Sequence, residues 1–328
     1  MKTPGTPKNP RVPTPNICMK DGILLVDKPE GLSSAAVVAR LKRKLGVKKI
    51  GHTGTLDPFA TGVLLIAVGQ ATRISRFFLN GSKAYIARVA LGIETDTYDC
   101  TGKPVASDSP EKASGITMDR IQEVVARFQG IQDQVPPAYS ALKHKGVPLY
   151  KLARQGRAVE KPPRQIEIYD ISAASLETSQ HGLPEFHLSV ACSGGTYIRS
   201  LAFDIGRALG CGAHLSGLVR TRSSQFELSQ GLGLETLESM SSQEIETRIR
   251  PMAQCLDFLP GAVVDKKIAE KISYGQKLGP GQIDMTLGGD QNFEDLFYRV
   301  MDDTGRLVAI VQPGGPGQPY NYSCVFHP

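Results

Sequence analysis

From Gly51 to Gly69 the chain reads G-H-T-G-T-L-D-P-F-A-T-G-V-L-L-I-A-V-G. The run V-L-L-I-A-V-G is apolar throughout and has the length of a strand, so it reads as a strand buried on both faces. The residues before it crowd glycines, a proline and an aspartate into one short connection, which describes a loop held to a specific backbone path. On spacing alone Asp57-Pro58 could simply initiate a turn. The tightness of the loop against an apolar strand argues instead for a carboxylate set at the floor of a pocket.

Working outward, G-I-L-L-V-D at Gly22 to Asp27 reads as a second buried strand, broken by the turn K-P-E-G. Ser33 and Ser34 are placed to cap a helix whose apolar residues Val37, Val38 and Leu41 recur at helical spacing. That helix runs into Arg40, Lys42, Arg43, Lys44, Lys48 and Lys49, a basic end suited either to the helix macrodipole or to phosphate contacts. Downstream, Ala84 to Gly92 and Gln165 to Ala173 alternate as strands do, and Met118 to Phe128 and Ile198 to Leu209 carry helical periodicity. No regular βαβ repeat appears, so the fold class is α+β, with a mixed, largely antiparallel sheet flanked by helices and loops. Near Arg250-Pro251 the pattern gives way to Gly- and Pro-rich sequence with short strand candidates at Tyr298 to Met301 and Leu307 to Val311, read as a small β-barrel module. The expected layout is a disordered basic leader over 1–20, a main domain over 21–250 and the small module over 251–328.

Composition narrows the function classes. Among 328 residues, 41% are hydrophobic and the net charge is +6, ample for a core but only weakly favourable to a polyanion. Six cysteines lie scattered without a C-x-x-C pair, which excludes a disulfide-stapled secreted domain and the zinc site of a nucleobase deaminase. Reduced thiols in a cytoplasmic protein are the expectation. No apolar run reaches membrane-spanning length, and the Pro-, Lys- and Thr-rich leader lacks the apolar core of a secretory signal. The charge is concentrated locally: Tyr139 to Arg164 holds Lys143, Lys145, Lys151, Arg154, Arg157, Lys161 and Arg164 against the single acid Glu160, with Tyr139 and Tyr150 interleaved. Cations with aromatics between them suit a phosphate backbone and exposed bases.

The Gly51 to Gly62 loop resembles the catalytic motif of the bacterial tRNA pseudouridine-55 synthase family (TruB-type). The resemblance runs from Gly22 to about Thr236, through G-I-L-L-V-D-K-P-E-G-L-S-S, K-A-Y-I-A-R-V-A-L-G, T-D-T-Y-D-C-T-G, V-P-P-A-Y-S-A-L-K, L-Y-K-L-A-R-Q-G, G-T-Y-I-R-S-L and G-C-G-A-H-L in the same order. It implies a pseudouridine synthase-like fold, a PUA-like tail module, and isomerisation of U55 in the tRNA T-loop. Neither a cofactor nor a metal is implied, and the partner is the T-arm stem-loop, with no membrane and no obligate protein partner. By position, Asp57 matches the catalytic aspartate, Tyr85 the active-site tyrosine and Arg199 the arginine that pairs with that aspartate. Tyr197 and Leu218 match residues lining the uracil pocket, and His52 a histidine that helps extrude the base. Lys28 and Pro29 fall in a motif that supports the loop from behind. Lys143, Lys151 and Arg154 are the candidate RNA contacts.

The physical chemistry of these roles is consistent with the residue types. A carboxylate can attack an electron-poor carbon or stabilise charge as the glycosidic bond breaks. In a desolvated pocket it takes up a proton unless a cation holds it ionised, and a guanidinium does so in two-point geometry. Arg199, one turn into a helix expected to open at Gly194-Gly195-Thr196, is the candidate partner. A competing reading is a non-catalytic RNA-binding or tRNA-folding factor that uses the same basic surface. A third, a ribosomal-RNA or small-nucleolar-RNA-guided synthase of related fold, is opposed by the basic insertion at Tyr139 to Arg164, which argues for stand-alone docking. Every candidate active-site residue lies before Pro251, so truncation there is expected to spare the chemistry.

Overall fold

The strands Gly22–Lys28 and Thr61–Val68 are buried almost throughout, and they pair antiparallel, Leu25 opposite Leu65, within one large sheet. Period-two alternation divides each of them between two cores. Leu24, Val26, Leu64, Ile66 and Val68 face one cluster, while Ile23, Leu25, Val63, Leu65 and Ala67 face another. The computed structural model describes residues 20–106, 110–179, 182–283, 297–315 and 317–327.

Among the described residues the sheet has eleven strands. Its main path runs Leu232–Gly233, Gly22–Lys28, Thr61–Val68, Ala213–Ser223, Lys83–Leu91, Pro184–Cys192, Arg164–Thr178 and Gly130–Gln134. Thr61–Val68 meets Ala213–Ser223 in parallel, and Gly22–Lys28 meets Leu232–Gly233 likewise; the other pairings along the path are antiparallel. The mixed α+β architecture expected from the sequence is therefore the one observed.

Helices cover the first core. Helix Ser34–Leu45 buries Val37, Leu41 and Leu45, and Ser33 caps it by accepting from the Ala36 amide at 3.2 Å, an interaction worth about 1 kcal/mol. Its basic end is partly used internally, since Lys44 Nζ donates to Glu238 O and Arg40 pairs with the Glu238 carboxylate. Helix Ile198–Leu209 buries Ile198, Leu201, Ala202 and Ile205, a stripe at i, i+3, i+4 and i+7. It opens later than the glycine pair suggested, with Tyr197 at the N-cap position. Gly194 and Gly195 belong to the preceding turn: a Cβ on Gly194 would lie 2.6 Å from Asn80 Cα, and Gly195 has φ +92°.

The tail departs from the boundary drawn at Pro251. Arg250–Pro251 is a strand paired with Gly22–Lys28, and helix Met252–Cys255 packs on it. A second sheet begins only at Gly261–Val264 and continues through Tyr298–Asp302, Leu307–Gln312 and Asn321–Val325. Among the described residues it is a four-stranded sheet without closure into the expected barrel. It shares the second core, where Leu307, Ile310, Cys324 and Phe326 pack with Ile23, Leu25, Val63 and Leu65. The sequence pattern missed this because short Gly- and Pro-flanked strands carry their apolar residues on the side that meets another element. The leader lies outside the described residues except for Lys20, whose amide donates to Glu246. Among the described residues no helix is long and apolar enough to cross a membrane.

Truncation at Pro251 would expose the rear face of the central strands. Re-exposing each fully buried aliphatic side chain costs about 1.5–3 kcal/mol, so the shortened chain is expected to melt about 10 °C or more below the full chain. Thermal unfolding measures this, and an unchanged midpoint would show that the second sheet does not support the first.

Candidate active site

The loop between Ile50–His52 and Thr61–Val68 is fixed at five consecutive backbone oxygens, those of Gly54 to Pro58. Arg220 Nη2 donates to Gly54 O at 3.2 Å and its Nη1 to Thr55 O at 3.4 Å. Ser34 Oγ donates to Leu56 O at 3.0 Å and accepts from the Leu56 amide at 2.8 Å. The Ala60 amide takes Asp57 O, and Pro58 O accepts from the Gly31 amide at 2.8 Å and from Lys28 Nζ at 3.3 Å. Leu56, Phe59 and Ala60 are buried, which anchors the apolar side of the loop in the core and turns Asp57 outward. Gly62 has φ +104° and sits so close to the neighbouring strand that a Cβ would be 2.3 Å from Arg220 O.

Asp57 meets Arg199 there. Arg199 Nε lies 2.9 Å from Asp57 Oδ2 and Nη2 lies 3.4 Å from Oδ1. The guanidinium side chain is only 4% exposed, whereas 33% of the Asp57 side chain stays accessible, so the carboxylate is held yet can still be approached. Arg199 also reaches a second acid, Asp99 Oδ2 at 3.5 Å, and donates to the carbonyls of Thr97 and Tyr139, each at 2.7 Å. Asp99 is itself fixed by Thr97 Oγ1 and by the amide and hydroxyl of Thr101. Burial pushes Asp57 above the ordinary carboxylate range, opposed by the Arg199 guanidinium and assisted by the Asp99 charge.

Two cavities open onto Asp57. One of about 220 Å³ is lined by Asp57, Tyr85, Tyr197, Arg199, Leu218 and Arg220 among others, a base-sized recess. Tyr85 is buried, opposite Arg220 on the neighbouring strand, and burial raises its phenol above the usual value while Arg220 opposes the shift. A larger cavity of about 850 Å³ adjoins it and is lined by His52, Tyr139, Tyr150 and Arg154 as well as Asp57. Burial, helped by Arg220, lowers the His52 pKa, which favours the neutral ring.

The structure thus brings Asp57, Tyr85, Tyr197, Arg199 and Leu218 to one recess and puts His52 at its wider mouth. Arg154 stands beside that mouth, with its guanidinium 5.7 Å from the Tyr150 ring. Lys143 and Lys151 are exposed on the same segment and line neither cavity. Lys28 is fully buried and donates to the carbonyls of Pro29 and Leu32, at 2.8 and 2.7 Å, besides Pro58. Sequence reasoning did not single out Arg220 or Asp99. The signal available for Arg220 was its place two residues after Leu218 on one strand, hence on the same face. Asp99 lay unassigned inside T-D-T-Y-D-C-T-G.

Burial lowers the Lys28 amine from 10.5 to about 8, desolvation outweighing the nearby Asp57 carboxylate. Between those values the folded chain has released a proton that the unfolded chain retains, so stability rises with pH across the interval. Chemical denaturation across pH 8 to 10.5 is expected to show this rise in the native chain and a smaller one in Lys28→Met. Parallel pH dependences for the two proteins would exclude a charged, buried Lys28.

Comparison with known proteins agrees with this geometry. The model for the TruB family pseudouridylate synthase N-terminal domain matches residues 42–198, and that for the tRNA pseudouridylate synthase B C-terminal domain matches residues 199–257. A tRNA pseudouridine synthase B of Francisella philomiragia subsp. philomiragia is 47% identical over 294 residues, 89% of this chain and 91% of the relative. One from Syntrophotalea carbinolica is 42% identical over 295 residues, 90% of each. Among solved structures, a chain of a Cbf5-Nop10-Gar1 complex superposes with a TM-score of 0.70 at 27% identity, covering 94% of this chain and 85% of its own. With two family models spanning the loop, the recess and the helix that carries Arg199, this chain belongs to the TruB family of pseudouridylate synthases.

Proposed function

We propose that the chain isomerises U55 of the tRNA T-loop to pseudouridine. The observation that carries this reading is the accessible Asp57 carboxylate, ion-paired to buried Arg199 and opening into a base-sized recess beside Tyr85. A uridine must leave the stack to enter such a recess, at a cost of a few kcal/mol. Inside it, Asp57 attacks C6 or C1′, or assists loss of the base towards a glycal, while the N1–C1′ bond breaks. The base turns, C5 bonds to C1′, the C5 proton departs and N1 ends protonated, so no atom is gained or lost. Tyr85 stacks on the ring with its hydroxyl towards C5, Tyr197 and Leu218 hold the base edges, and His52 occupies the space the base vacates.

The basic segment from Tyr139 to Arg164 docks the T-arm. Support comes from the exposed Lys143, Lys151 and Arg154 on one segment, of which Arg154 lines the wider cavity. An RNA contact of its own favours stand-alone recognition over a guided assembly. The four-stranded tail sheet serves as a PUA-like accessory surface for the same RNA. A non-catalytic binding factor would have no use for a partly accessible carboxylate paired with a buried guanidinium, so the enzymatic reading is preferred.

Asp57→Asn keeps side-chain shape but removes charge and nucleophile. It is expected to cut single-turnover pseudouridine formation by about three or more orders of magnitude with tRNA affinity little changed. Substantial turnover by the folded variant would remove Asp57 from the chemistry, and mapping pseudouridine in tRNA from cells with and without the protein tests the U55 assignment.

In Arg199→Ala the acid limb of the pH–rate profile should move to higher pH, because the group that lowers the Asp57 pKa is gone. A stationary limb would mean that another group titrates there.

Replacing Lys143, Lys151 and Arg154 by Ala should lower the slope of log affinity against log salt by about one per lost phosphate contact, with turnover of bound tRNA nearly constant. An unchanged slope would exclude this segment as the docking arm.

A further inference from the structure

Four cationic side chains line the base-sized recess: Lys83, Arg164, Arg199 and Arg220. Three of them are committed to the protein. Lys83 Nζ donates to the carbonyls of Phe78, Leu79 and Gly81, Arg199 holds Asp57 and Asp99, and Arg220 holds the carbonyls of Val63, Gly54 and Thr55.

Arg164 is different. Its guanidinium carbon lies 4.7 Å from the centroid of the Tyr197 ring, and its shielded Nε has no hydrogen-bond partner. No ion pair joins it to any described carboxylate. Gly195, at φ +92°, passes directly beneath it, and a Cβ there would stand 3.3 Å from Arg164 Cζ. The platform is rigid, since Arg164 pairs with Gln134 across the sheet, and the Gln134 side chain brackets Tyr197 by accepting from its amide at 2.8 Å and donating to its carbonyl at 3.0 Å. A partly desolvated guanidinium without an anion is costly. Stacking on an aromatic ring orients its donors while leaving them free, the arrangement suited to two-point binding of an oxyanion.

We propose that Arg164 binds a phosphodiester oxygen adjacent to the flipped uridine, holding the nucleotide by its backbone at the rim while the base occupies the recess. This rests on the reading that a uridine enters that recess. The requirement for an anion at the rim follows from Arg164, the recess cation that among the described residues has no carboxylate or carbonyl partner; a nucleotide supplies that anion with the base. Arg164 is on this view a substrate-positioning residue, separate from the exposed lysines of the docking arm, because its contact forms only after the base has left the stack.

The test pairs protein and RNA substitutions. A T-arm stem-loop RNA is prepared unmodified and with a neutral methylphosphonate at the linkage 5′ or, separately, 3′ to the target uridine. Affinity is measured in an Asp57→Asn background so that turnover does not intervene, and single-turnover rates in protein retaining Asp57. Arg164→Ala should weaken binding of unmodified RNA by roughly ten- to a hundredfold, the range of a charge-assisted hydrogen-bonded contact. On RNA neutral at one of the two linkages, the same substitution should have no further effect. Arg164→Lys should recover part of the affinity, since it restores charge without the planar stack, and Arg164→Gln provides a size-preserving variant if the alanine protein is unstable. Losses that multiply independently at both linkages, or unaltered affinity of Arg164→Ala, overturn the proposal. Failure of the unsubstituted protein to form pseudouridine would instead count against the proposed function, while the coupling in binding would still decide whether Arg164 meets a backbone phosphate.

Discussion

Five consecutive backbone carbonyls, from Gly54 to Pro58, all have donors, and those donors come from three parts of the chain: the stretch 28–34, Ala60 of the loop itself, and Arg220. Everything at the site depends on this constraint. A loop of that length would otherwise sample many backbone states, and a carboxylate attached to it would not keep its geometry with a buried partner. Two of the donors are cations spent on neutral oxygens, Lys28 and Arg220, and such bonds repay only part of the desolvation of a charge. The depressed Lys28 pKa is the energetic trace of that choice. Stability is given up locally to hold Asp57 in one place.

Electrostatics at the recess follows from an unequal sharing. Arg199 faces two acids, Asp57 at 2.9 Å and Asp99 at 3.5 Å, so its charge is divided and Asp57 is not fully compensated. Burial and the second acid together raise the Asp57 pKa against the pull of Arg199. A carboxylate in a perfect private ion pair would be stable and unreactive. One whose partner is divided stays nearer to the basicity of a free carboxylate or above it.

Much of the fold was legible because its signals are local. The apolar stripe of helix Ile198–Leu209 was legible from its spacing, though the start of the helix was not, and the strands around Gly22–Lys28 and Thr61–Val68 were legible from continuous apolar runs. Asp57 stood out because glycine and proline flank it, whereas Tyr85 and Arg199 needed the family resemblance, since neither an aromatic on a strand nor an arginine on a helix is distinctive. Arg220 was invisible for a different reason. Its partners Val63 and Gly54 lie 157 and 166 residues away, and no period in a sequence encodes a contact of that kind. Gly194 and Gly195 misled for a related reason: they read as a helix opening, but their small size serves close passage against Asn80 and Arg164.

The same alternation that makes Thr61–Val68 a central strand also connects the site to the tail. Leu64 and Ile66 point into the core beneath the recess, and Val63 and Leu65 point away into the core shared with Leu307, Ile310 and Phe326. Val63 in addition gives its carbonyl to Arg220 Nε at 2.8 Å, the bond that aims the Arg220 guanidinium at the loop carrying Asp57. Arg73 extends the connection, with its guanidinium 5.3 Å from the Phe326 ring, as does Gln70 through the His327 carbonyl at 2.9 Å. A strand packed on both faces cannot shift on one side without repacking the other. The tail sheet therefore bears on the position of Asp57 through the strand that both faces share.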